Sequence, residues 1–345
     1  MKNKSTASSV NESPTIALLG CGAMVENFYL PAFRHHPVVF QQLILVDKDY
    51  ERARLLAERS QIKNYCTDYG EIVNSVDGVI IALPHHLHHP VAKEFLNKRV
   101  HVLCEKPLAE TGAEARELIK VAGENGVTIS LNNTRRLFAV SGLVKQLLDD
   151  GQIGNVHTVN YYEGGEFTWP TTSGFYFDSK LSKRGVLLDI GAHVFDVICW
   201  WLGGKPRVVS CENDSFGGCE AAASVLFEYR DCRGEVRLSR LSRLPNYFRI
   251  KGERGIIEGK VHDKKSVTLS TGPALGKRKR IQAGSSDSVD IADKLVSNFL
   301  DVLLNRGQPL IPASEVVGSI EFLDEAYRQA KRFSMPWYNI EGVVA

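Results

Sequence analysis

The chain has 345 residues, 43% hydrophobic and 24% charged, with a formal net charge of +2. These are ordinary globular proportions, and the length suggests two domains rather than one. Both signs of charge are spread along the chain, which sets aside nucleic acid and membrane as main partners.

Residues 1–13 are polar and lack the apolar core of a signal peptide, so they are expected to form a disordered tail. From Thr15 the chain alternates strand-like and helix-like segments. Thr15–Leu19 is an apolar run stopped by Gly20, a helix pattern follows, and Leu43–Val46 is a second run ending at Asp47. Helix is predicted at Tyr50–Arg59, strand at Gly78–Leu83 up to Pro84, helix at His89–Asn97 and strand at Val100–Cys104. Glu110–Asn125 and Thr128–Leu131 add a helix and a strand. Near-continuous apolar strands separated by helices are what a parallel sheet covered on both faces requires. The expected fold class is α/β, with an N-terminal doubly wound Rossmann domain over 14–132.

The rhythm changes after Asn132. Helices are predicted at Ser141–Asp150 and Leu187–Leu202. Strands follow at Ser224–Tyr229, Gly234–Leu241, Tyr247–Lys251, Gly255–Glu258 and Ser266–Ser270, then helices at Ile291–Asn305 and Ala313–Arg332. Helices grouped beside alternating strands indicate an α+β domain with a large, mostly antiparallel sheet over 133–345. The basic run Lys277–Arg280 reads as a solvated hairpin tip. The seven cysteines (Cys21, Cys66, Cys104, Cys199, Cys211, Cys219 and Cys232) are odd in number and show no two-residue spacing, so reduced thiols in the cytoplasm are expected. No apolar run approaches the ~18–20 residues that span a bilayer.

Chemistry concentrates at strand ends. Gly20-Cys21-Gly22-Ala23-Met24-Val25 marks the first strand-to-helix turn. The first glycine permits the tight turn, and the second lets backbone approach a pyrophosphate at the helix N-terminus. Val25 fills the slot that usually holds glycine or alanine, a departure that bears on helix packing. Asp47, closing the second strand, is placed to accept hydrogen bonds from an adenosine ribose and to favour NAD, while Lys48 and Arg52 soften any exclusion of NADP. Lys106 in Glu105-Lys106-Pro107 follows a strand that opens on the ligand crevice, where its ammonium would stabilise negative charge on a substrate oxygen; a surface lysine fits the tripeptide equally. Asp189 and His193 are four residues apart on a helix and share a face. That spacing suits a carboxylate orienting a proton-exchanging imidazole, and it suits a satisfied core histidine equally well.

The tract His85-His86-Leu87-His88-His89 resembles a metal site, yet its place at a helix start favours loop and capping duty. No metal is expected, because hydride transfer needs none. The aromatic segment from Tyr161 to Phe177 makes Trp169 and Tyr176 candidate sugar-stacking residues, and it suits a loop packed on the second domain or an oligomer contact as well. Arg135 and Arg136 would bind a substrate phosphate or brace the domain junction.

Together these segments resemble the glucose–fructose oxidoreductase/inositol dehydrogenase (Gfo/Idh/MocA) family. The resemblance rests on Gly20–Val25, Leu30–Ala32, Pro84 to His88, Glu105–Ala109, Arg135-Arg136, Gly151–Gly154, Asp189–His193 and Gly252–Gly255. It implies a dinucleotide domain joined to an α+β domain whose open sheet forms a homodimer or homotetramer interface. It further implies NAD(P)-dependent oxidation or reduction at a secondary alcohol or ketone carbon of a sugar, inositol or nucleotide sugar. Lys106 and His193 would share proton transfer and hydroxyl binding, and Asp189 would hold His193. Pro84 and His88 would line the cofactor loop, and Glu105 would contact the ribose beside the nicotinamide. An NAD-dependent glycosidase, which oxidises its sugar transiently, is an alternative; so is a cofactor-binding regulator without activity.

Overall fold

The computed structural model describes residues 13–170, 174, 178, 182, 184–215, 218–284 and 288–334. The first sheet holds six parallel strands: β1 (Ile16–Leu19), β2 (Ile44–Val46), β3 (Asn64–Cys66), β4 (Gly78–Ile81), β5 (His101–Glu105) and β6 (Ile129–Asn132). Their order is β3-β2-β1-β4-β5-β6. Chain direction away from β1 reverses between β1 and β4, and open parallel sheets place their ligand crevice at such a switch point, over the carboxyl ends of the strands.

The first connection carries a π-helical turn at Val25–Tyr29, α1 (Leu30–Phe33) and α2 (Pro37–Gln42). Val25 is fully buried against the sheet. The wider turn begins at the position where a smaller residue would let a regular helix sit close. Next come α3 (Tyr50–Ser60), capped by the Asp49 carboxylate, α4 (His85–Asn97), and α5 (Gly112–Asn125), which opens on a Thr111/Glu114 capping box. Helix α4 starts four residues before the expected His89, directly after Pro84, so Pro90 lies inside it rather than in its first turn.

Helices α6 (Thr134–Leu137) and α7 (Ala139–Asp149) lead into the second sheet. Its strands are β7 (Val156–Gly164), β8 (Arg207–Asn213), β9 (Ala222–Tyr229), β10 (Cys232–Ser239), β11 (Tyr247–Gly252), β12 (Gly255–Lys260), β13 (Ser266–Thr271), β14 (Lys277–Gln282) and β15 (Ala330–Arg332), in the order β14-β13-β12-β11-β7-β10-β9-β8-β15. Among the described residues only the β10–β7 and β15–β8 pairings are parallel. The run Lys277–Arg280 is not a hairpin tip but the exposed edge strand β14, where cations discourage pairing with another chain.

One face of this sheet packs on α8 (Val186–Leu202) and α10 (Ala313–Gln329), with Phe195 and Phe322 rings 4.6 Å apart. The chain also returns to the first sheet. Leu295, Val296 and Phe299 of α9 (Ser288–Leu303) are buried with Ile16 and Leu18 of β1. Helix α10 serves both cores, with Val316 and Ile320 in the first and Phe322 and Leu323 in the second. No helix among the described residues is long and apolar enough to cross a membrane.

Candidate active site

A cleft of about 880 Å³ lies over the carboxyl ends of the first sheet, lined from both sheets' sides by Gly20, Asp47, Pro84, Lys106, Asp189 and His193 among others. That volume is in the upper part of the ~300–1,000 Å³ usual for ligand sites.

The glycine-turn end is built by backbone. Gly20 has φ +94°, and a Cβ there would run into the Ala82 carbonyl oxygen. Its N–H donates to Val46 O at 2.8 Å, tying the turn to β2. Gly22, Ala23 and Met24 line the cleft just beyond. The Asp47 carboxylate accepts from Cys21 N at 2.9 Å and from Asp49 N at 3.0 Å, with Arg52 Nη1 at 3.5 Å. Asp47 thus braces the glycine turn while facing the cleft. A dinucleotide fits here: only a side-chain-free residue is tolerated at Gly20, and a carboxylate closes the neighbouring strand. Burial, then the Asp47 charge, pushes the Cys21 thiol up to about 12, so it stays protonated.

The opposite end is built by charges. Lys106, at the end of β5, donates to Asp189 Oδ1 at 2.6 Å and to the Asp189 carbonyl at 3.1 Å. The second Asp189 oxygen accepts from Arg240, just past β10, whose guanidinium lies 4.8 Å from the Phe167 ring centroid. Burial disfavours the Asp189 anion, yet Lys106 and Arg240 hold its carboxyl well below the usual range. This corrects the expected pairing: Asp189 and His193 share a helix face, but the aspartate grips the lysine. Two cations offer a buried carboxylate more than a neutral imidazole does. The His193 Nδ1 is buried with no hydrogen-bond partner among the described residues. Burial, then the Lys106 charge, holds His193 well below its ordinary pKa, so it is neutral near pH 7. Helix α8 carries these groups and is fixed at its start by Glu220, which accepts from Gly185 N, Leu187 N and the Tyr327 hydroxyl.

A buried network supports the floor. The Glu105 carboxylate accepts from the Tyr29 hydroxyl and from Asn132 Nδ2, both at 2.7 Å. Burial raises its pKa, opposed by those two bonds. His88 is buried with its ring nitrogens 2.6 Å from Pro107 O and 2.7 Å from Leu83 O, linking the Pro84 loop to the Lys106 loop. Burial lowers its pKa, opposed by the two carbonyls.

Of the paired arginines, Arg135 lines the cleft but is bound bidentately by Glu163 and by the Tyr161 hydroxyl. Arg136 is bidentate to Asp196 and also reaches Glu315, joining α6, α8 and α10. Arg136 therefore braces the junction and Arg135 ties α6 to β7, and phosphate at either would have to compete with a carboxylate. Trp169 lines the mouth; Tyr176 lies outside the described residues. Sequence reading passed over Tyr29, Asn132, Arg240 and Lys264, the last lying 4.2 Å from the Phe138 ring centroid at the cleft. Asn132 was findable as a polar residue closing a parallel strand; nothing in its neighbourhood singled out Arg240.

Comparison with known proteins agrees with this fold. Trans-1,2-dihydrobenzene-1,2-diol dehydrogenase of Xenopus laevis is 29% identical over 240 residues, 68% of this chain and 72% of that protein. The solved levoglucosan dehydrogenase complex with NADH and levoglucosan superposes with a TM-score of 0.80 at 17% identity, covering 92% of this chain and 97% of its own. A 3-ketoreductase from Actinomadura kijaniata, solved with NADP and TDP-benzene, gives 0.80 at 18% identity, covering 94% and 100%. At such identities the solved structures attest the fold. Residues 15–133 match the oxidoreductase family with an NAD-binding Rossmann fold, and residues 143–258 match the GFO/IDH/MocA C-terminal domain. With both halves of its architecture accounted for in order, this chain belongs to the GFO/IDH/MocA family of NAD-binding oxidoreductases.

Proposed function

We propose that the protein moves a hydride between a nicotinamide and the secondary alcohol or ketone carbon of a sugar, inositol or nucleotide sugar. One observation carries the reading: Lys106 from the first sheet and His193 from α8 line the same cleft as the glycine turn. A nicotinamide held there would supply or accept the hydride at the substrate carbon. His193, neutral near pH 7, accepts the hydroxyl proton in oxidation and returns it in reduction. Lys106 donates a hydrogen bond to the same oxygen and stabilises its developing charge. Asp189 positions that ammonium. The names of the relatives, dehydrogenases of a dihydrodiol and of levoglucosan and a 3-ketoreductase, support an alcohol or ketone as the reacting group.

NAD is the proposed carrier because Asp47 faces the cleft, and NADP is admitted because Arg52 lies against it. Glu105 is proposed to meet the ribose beside the nicotinamide, and Arg135, Trp169 and Tyr176 to border the substrate. The seven free cysteines support a reducing, cytoplasmic setting. The open face of the nine-stranded sheet is proposed as the interface of a homodimer or homotetramer. A panel of sugars and nucleotide sugars, followed by NADH absorbance with both cofactors, tests the reading. Dinucleotide uptake with one active substrate class supports it; absence of any dinucleotide binding in calorimetry rejects it.

A further inference from the structure

Three elements of the first domain converge on one carboxylate. Glu105 closes β5, Tyr29 ends the π-helical turn and Asn132 closes β6. Tyr29 is wholly buried, whereas Glu105 lines the cleft. A single carboxylate oxygen, Oε1, takes the Tyr29 hydroxyl and Asn132 Nδ2, each at 2.7 Å. Asn132 Nδ2 also donates to the Tyr29 oxygen at 3.0 Å, which closes a triangle of donors around the acid.

An ionised carboxylate only accepts, so it dictates that both the phenol proton and the amide NH2 point at it. The Asn132 carbonyl oxygen is thereby turned away, and it is buried with no hydrogen-bond partner among the described residues. A buried amide that leaves its own acceptor unpaired in order to supply donors calls for a reason. Burial pushes the Glu105 carboxyl towards its neutral form, and the Tyr29 and Asn132 bonds oppose that push. The other groups acting on it are the Lys106 ammonium, which also favours the anion, and the Cys104 thiol, which burial keeps protonated. Accepting from a hydroxyl is stronger for a charged carboxylate than for a neutral one. We infer that Tyr29 and Asn132 are positioning residues that clamp Glu105 in its ionised form, ready to accept from a hydroxyl of the ribose beside the nicotinamide. The inference rests on the reading that Glu105 meets that ribose, and it gives a part to two residues outside the reacting group.

The test is calorimetric titration of NAD and of ADP, which lacks the nicotinamide ribose, from about pH 5.5 to 8.5. The proteins compared are wild type, Tyr29→Phe, Glu105→Gln and the double variant. Losing one donor makes the anion harder to hold, so the acid loss of NAD affinity should move to higher pH in Tyr29→Phe. At the acid end its NAD affinity should fall about tenfold below wild type, the difference between a charge-assisted bond and a neutral one. Towards the alkaline end the gap should narrow, and ADP affinity should match wild type throughout. In the Glu105→Gln background, Tyr29→Phe should add no pH dependence. Should Tyr29→Phe not fold, Asn132→Ala removes the other donor and is read in the same way. An acid limb left in place or absent from the variant overturns the inference. So does a loss of the same size at every pH, an equal loss for ADP, or a shift that persists without Glu105. Uptake of NAD with any of these results removes the clamp alone, whereas no uptake of NAD or ADP removes the dinucleotide reading as well.

Discussion

In the first sheet β1, β4 and β6 are buried along their whole length, while in the second β8 and β10 largely alternate between buried and exposed residues. The contrast extends to the cleft. The first domain offers mainly backbone, a glycine turn and strand ends, with Asp47 and Lys106 set on that frame. The second offers side chains carried on α8 and beside β10: Asp189, His193 and Arg240. Backbone geometry makes a general cradle for a cofactor, whereas separately placed side chains decide chemistry and substrate. Changes in the second domain should therefore alter rate and selectivity with dinucleotide binding intact, and changes at the glycine turn and Asp47 should move cofactor affinity or preference.

The largest expected effect lies on the second side. His193→Ala should slow turnover by roughly 10²–10⁴-fold while calorimetric NAD affinity stays near wild type. Equal loss of both would make the residue structural and blur the division. Next comes the junction itself. Arg136→Ala leaves Asp196 and part of Glu315 without their cation, and breaking such a buried pair costs about 3–5 kcal/mol. A denaturation midpoint unchanged by the substitution would show that the two cores are held together elsewhere.

Lys106→Met tests the coupling between the halves. Turnover should fall with the fold unaltered, and the pH profile carries the sign. Oxidation requires neutral His193, and the lysine charge contributes to lowering that pKa. Wild-type kcat/KM should therefore lose activity only below the ordinary histidine range near 6.5. In Lys106→Met that acidic limb should move to higher pH; a limb left in place would mean that burial and the other neighbouring groups set the histidine without the lysine. The smallest effect is expected at Asp47. Asp47→Ser should shift the NAD/NADP ratio of kcat/KM towards NADP by roughly tenfold, the worth of about one hydrogen bond to a charged group. An unaltered ratio would remove Asp47 from ribose recognition and leave it as a brace for Cys21 and Asp49.

Much of the first domain was legible because its signals are local. An apolar run stopped by Gly20, and another stopped by Asp47, place the turn and the acid on adjacent strand ends with no knowledge of the rest of the fold. Lys106 was legible for the same reason. The second domain was readable as alternating strands, but the basic run at 277–280 was misplaced, since a charged edge strand and a charged turn have the same composition. Asp189 and His193 were found on one helix face, and their partnership was misjudged. Spacing along a helix fixes which side chains are neighbours, not which distant cation reaches them.

By itself, then, the sequence determined the two-part architecture, the glycine turn and the identity of the ionisable residues, because these follow from short-range periodicity and backbone sterics. Tertiary structure alone decided that Arg240 shares Asp189 with Lys106, that Tyr29 and Asn132 occupy Glu105, that α9 closes the first core, and that His85 joins the cleft. A buried charge takes whatever partner the folded chain brings within hydrogen-bond reach, and residues 51 or 76 positions apart have no local pattern that records their meeting.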